Sequence, residues 1–98
     1  MSHQLVHDAA NGSMSNAKLA ATINETKQAI RMFEDDLKDR TEQHKLYVQR
    51  AKASNLKAFA MLGMLQRRLM GLSQEILTLL KGQLQALEKV AARRTGLI

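Results

Sequence analysis

The stretch Phe59–Gln83, FAMLGMLQRRLMGLSQEILTLLKGQ, decides how the whole chain folds. It is too interrupted for a membrane span, because Gln66, Arg67 and Arg68 sit near its middle and a span needs about 20 mostly uncharged residues. Read at 100° per residue, its apolar positions fall into neighbouring lines. Met61, Leu65, Leu72, Leu79 and Val90 make one line. Leu69, Ile76, Leu80 and Leu87 make a second, and Phe59, Leu62, Met70, Leu77 and Leu84 a third. The apolar arc is roughly 180° wide, which describes an amphipathic helix with more apolar surface than one neighbour covers. Gly63, Gly71 and Gly82 are expected with Arg67, Gln74, Thr78 and Lys81 on the opposite, polar side, away from the core-facing half.

Composition favours helices throughout. The apolar mass is Leu, Ala, Met and Ile, which favour helix, and Phe33, Tyr47 and Phe59 are the only aromatic residues. Proline is absent and there are five glycines, so the punctuation of a β-rich or many-looped fold is missing.

Upstream, Leu19, Ile23, Ile30, Phe33 and Leu37 alternate in steps close to three and four, as in a heptad seam. Thr22 and Glu25 have the spacing of a capping box, while Ser15 or Asn16 offers an earlier N-cap that the helix formers from Ala17 to Ala21 favour. The polar run from Arg31 to Lys45 keeps helical offsets in Glu34 with Lys38, Asp36 with Arg40 and Glu42 with Lys45, so the helix is expected to continue through it.

The best turn is KASNLK, Lys52 to Lys57, where Ser54 and Asn55 are N-cap residue types just before the apolar run. The expected fold is all-α: a long antiparallel helical hairpin, dimerising into a four-helix bundle or coiled coil. Helix one is expected over about 16–52 and helix two over about 56–93, within a hairpin of 16–94, with a disordered polar tail outside the fold over 1–15 and a frayed end over 95–98. One uninterrupted helix is the competing reading. A chain of 98 residues buries only about 60–65% of its unfolded surface, so oligomerisation is expected on size alone.

Little in the sequence points to catalysis. There is no cysteine, hence no thiolate site or disulfide framework, and the default setting is cytosolic. His3 and His7 stand four apart in the polar tail, and His44 falls near the first seam beside Tyr47. The carboxylates Glu34, Asp35, Asp36 and Asp39 lie among cations on a solvated face. Neither a phosphate loop nor a nucleophile with its base is present, so a non-enzymatic protein without cofactor or metal is expected.

Two surfaces are candidates for function. The apolar interaction face comprises Ile30, Phe33, Leu37, Leu65, Leu69, Leu72, Ile76, Leu79, Leu80 and Leu87, and would engage a second copy or a helical protein partner. The other is a basic zone. Between Gln43 and Gln74 no acidic residue occurs, while Lys45, Arg50, Lys52, Lys57, Arg67 and Arg68 supply six cations towards a net charge of +6. That zone suits the phosphate backbone of duplex RNA or DNA, or else serves only to solubilise.

Overall fold

The structure, a computed structural model, describes Val6, Gly12 and residues 14–96. Two helices, α1 (Asn16–Ser54) and α2 (Lys57–Arg94), fold back on one another as an antiparallel hairpin. The uninterrupted helix is thereby excluded. α1 runs without a break through the charged segment Arg31 to Lys45. Of the three charge spacings there, Asp36 with Arg40 closes, at 2.8 Å.

Local signals explain each end. The amide of Lys18 donates to Ser15 Oγ at 3.1 Å and that of Leu19 to the Ser15 carbonyl at 2.8 Å, so Ser15 caps α1, a contact worth about 1 kcal/mol. Thr22 does not act as the alternative cap; its hydroxyl donates back to the Lys18 carbonyl at 2.8 Å inside the helix.

The turn lies where the sequence places it, but its residues play the opposite part. Ser54 and Asn55 end α1 rather than begin α2. Ser54 Oγ donates to the Arg50 carbonyl at 2.6 Å, and the Asn55 amide donates to the Ala51 carbonyl at 3.0 Å. Asn55 is left-handed, at φ 56°, the conformation that closes a helix C-terminus and that Asn tolerates better than any residue but Gly. Asn55→Ala is therefore expected to destabilise the hairpin by about 1 kcal/mol, while Asn55→Gly leaves it equal or more stable. Urea unfolding of the two variants checks the order, and a more stable Ala variant would refute it.

The chain divides into two compact units. The first comprises Met1–Arg31 with Leu77–Ile98. It holds every buried hydrophobic side chain among the described residues: Met14, Leu19, Ile30, Leu77 and Leu87. Met14, Leu19 and Leu87 form a cluster against which Val6, Ile23, Val90 and Ala91 pack. Met14, at 4% exposure, departs from the expectation that residues 1–15 stay outside the fold. The rest of that tail, apart from Val6, Gly12 and Ser15, lies outside the described residues, as do His3, His7 and the last two positions.

Polar residues share this buried face. Gln83 Nε2 donates to Thr26 Oγ1 at 3.3 Å, and Thr26 Oγ1 donates to the Thr22 carbonyl at 2.8 Å. Among the described residues no buried side-chain nitrogen or oxygen lacks a partner, so these groups enter the seam without the cost of an orphaned donor. Such a bond is made at one helix register, which is a second consequence of placing it in the seam.

The second unit, Met32–Ile76, is built differently. Among the described residues it has no fully buried large hydrophobic side chain; Phe33, Leu37, Tyr47, Val48, Phe59, Leu69 and Met70 are half-buried. Its seam is tied by polar contacts, Ser73 Oγ donating to Asp36 Oδ2 at 3.0 Å and Arg40 Nη1 to Gln66 Oε1 at 3.3 Å. Gly63 is buried, and a Cβ placed on it would lie 3.7 Å from Tyr47 Cβ and 3.8 Å from Val48 Cγ2. This corrects its assignment to the polar side: α2 turns part of its glycine-containing face inward, towards Tyr47 and Val48.

A Cβ at Gly63 would still meet ordinary contact distances, and one at Gly71 would meet open space. Each Gly→Ala change should therefore stabilise by about 0.5–1 kcal/mol through helix propensity alone. Thermal melts of Gly63→Ala and Gly71→Ala check this; a fall in melting temperature for Gly71→Ala contradicts it.

Candidate interaction surfaces

The apolar residues singled out from the sequence separate into two sets. In the first unit Ile30 and Leu87 are buried and Leu80 half-buried, while Leu79 is exposed. In the second unit Phe33, Leu37 and Leu69 are half-buried against the seam, whereas Leu65, Leu72 and Ile76 are exposed. The wide arc of α2 is thus used in halves, one closing the hairpin and the other facing solvent.

Within the second unit the solvent-facing half is extensive. Met61 is 68% exposed, Leu72 54% and Leu65 50%, joined by Leu62, Met64 and Ile76. Positions 61, 65, 68, 72 and 75 alternate by four and three, so Arg68 and Glu75 fall on the same line as Met61, Leu65 and Leu72. Arg68 lines a shallow depression with Met61, Met64 and Leu65. Of the ten large hydrophobic residues exposed among the described residues, nine lie in this unit, the tenth being Leu79.

All six cations of the basic zone are exposed and lie in the second unit. They do not all line one depression. Lys52 and Arg67 converge on a cleft of about 440 Å³ whose walls include His44, Asn55, Gly63 and Met64. Arg50 places its guanidinium 6.0 Å from the centre of the Phe59 ring, a cation–π distance. Arg68 belongs to the apolar stripe, and Lys45 and Lys57 stand on the open surface. The convergence of Lys52 and Arg67 was not legible beforehand, because they come from different helices and meet only through the hairpin's register.

One carboxylate is perturbed. The hydrogen bond from Arg40 holds the Asp36 carboxyl below its ordinary value; partial desolvation opposes this and the Ser73 hydroxyl adds to it. Because the shift is downward, the linked stability is present above the unfolded value of about 3.9 and is lost as pH falls through the lower folded value. Asp36→Asn should therefore flatten the acid limb of a stability-versus-pH curve below about pH 4. An acid limb identical to that of the parent protein would exclude this role for Asp36.

Among the described residues no group of three or more His, Asp or Glu side chains is placed to hold a metal ion, and no helix is long and apolar enough to cross a membrane. Comparison with protein-family models, with curated proteins and with solved structures found no match.

Proposed function

We propose that this chain is a non-enzymatic helical assembly or adaptor module of the cytosol, working through the outward apolar face of α2, which it covers with a second copy or with a helical partner. One observation carries the reading: the second unit has no fully buried large hydrophobic among its described residues, yet carries nine of the ten exposed ones. Fully burying a Leu or Met side chain gains about 1.5–3 kcal/mol. Four or five such residues at an interface offset an association cost of about 4–15 kcal/mol. The expected closure is a four-helix arrangement of two hairpins. Its signature is a melting temperature that rises with protein concentration, since anything that binds only the folded chain stabilises it by mass action. A melting temperature unchanged across a hundredfold dilution would end the self-assembly form of the proposal.

A second reading, binding to duplex RNA or DNA, is favoured by the meeting of Lys52 and Arg67 in one cleft and by the lack of acidic residues from Gln43 to Gln74. Phosphate contacts by these cations would give binding that weakens steeply with salt. A gel-shift experiment with both duplexes decides it, and no shift at low salt would dismiss it.

A further inference from the structure

We infer that the occupant of the outer face of α2 is a second copy of this chain, lying antiparallel to the first about a two-fold axis near Leu72. This rests on the self-assembly reading above and adds the orientation. The ground for it is the placement of charge on an apolar line. Arg68 precedes Leu72 by four residues and Glu75 follows it by three, and both occupy the heptad line of Met61, Leu65 and Leu72. Both are exposed, and among the described residues neither forms an ion pair within its own chain. Charges on such a line weaken an interface unless they meet opposite charges, and where they do they select the orientation. With the copies parallel, Arg68 meets Arg68 and Glu75 meets Glu75. With the copies antiparallel about a two-fold axis between positions 71 and 72, Arg68 lies against Glu75 of the partner subunit, twice by symmetry, and Leu72 lies beside its own counterpart. A two-fold contact is also self-complementary and closed, so it ends at the dimer instead of growing into a filament. The aliphatic stem of Arg68, which lines one depression with Met61, Met64 and Leu65, joins the apolar contact while its head reaches the carboxylate.

Charge reversal tests the orientation. Sedimentation of Arg68→Glu alone and of Glu75→Arg alone should show association weakened by about tenfold or more, since each change turns both pairs repulsive. An equimolar mixture of the two variants, and the double variant Arg68→Glu/Glu75→Arg, should each recover the association of the parent chain, because opposite charges then face again. Helix content by circular dichroism should stay unchanged throughout, these being exposed positions. If the parent chain dimerises and both single variants dimerise equally well, the antiparallel pairing is wrong while self-assembly stands. A mixture no tighter than the single variants also overturns it. A parent chain that is monomeric at every concentration defeats the self-assembly reading, and this inference with it.

Discussion

Truncating Leu87 to alanine is expected to cost about 2–5 kcal/mol, the largest loss of any single core substitution in this chain. Among the described residues Leu87 is the one large side chain at 0% exposure, and it packs with Met14 and Leu19 where Ile23, Val90 and Ala91 close the cluster. Removing three carbons there leaves a cavity lined by residues of both helices and of the segment before α1, and helix backbones do not collapse to fill it. Total stability for a domain of this size is about 5–15 kcal/mol, so the substitution removes a large share of it. Urea unfolding should show a lower midpoint by a corresponding amount. Leu79→Ala, at an exposed position of the same unit, is the control and should change stability by less than about 0.5 kcal/mol beyond any effect on assembly. Equal losses at Leu87 and Leu79 would contradict the assignment of the core to the first unit.

The second large effect is on association. Placing carboxylates on the outer face with Leu65→Asp and Leu72→Asp together should weaken self-association by more than about a hundredfold, because four charges in a symmetric dimer would be desolvated against apolar side chains. Both residues are at least half exposed, so the hairpin itself should keep its helix content. Association and folding are thus separable in one variant. Loss of helix content together with association would mean that the outer face folds the chain rather than assembles it; retained association would mean that the interface lies elsewhere.

The sequence shows the helices and the turn well, and shows which faces meet less well. Leu19, Ile23, Ile30, Phe33 and Leu37 mark the inward line of α1 because a helix with a single narrow apolar stripe has one way to bury it. α2 has a wide arc, and periodicity alone does not say which half closes the hairpin. That choice depends on Gly63 against Tyr47 and Val48, on Ser73 with Asp36, and on Gln83 with Thr26. Each is a pairing across the turn between residues far apart in sequence. Polar residues in a seam read as solvent-facing until their partners are known. Asn55 shows a subtler ambiguity: the residue types that begin helices also include one that ends them, and only its left-handed backbone separates the two. Met14 was hidden by its polar neighbours, which suggest a tail although one apolar side chain joins the cluster of Leu19 and Leu87. The candidate site followed the same pattern, since the apolar residues were legible as a set and their division into inward and outward halves was not.

The exposed half of α2 is proposed to be covered by another copy of the chain. Sedimentation equilibrium of the unmodified protein across the micromolar range measures this directly. The expected result is a mass approaching twice the 11.0 kDa of one chain, falling towards a single chain on dilution. A mass of 11.0 kDa at every concentration, in a protein that melts cooperatively, would contradict it.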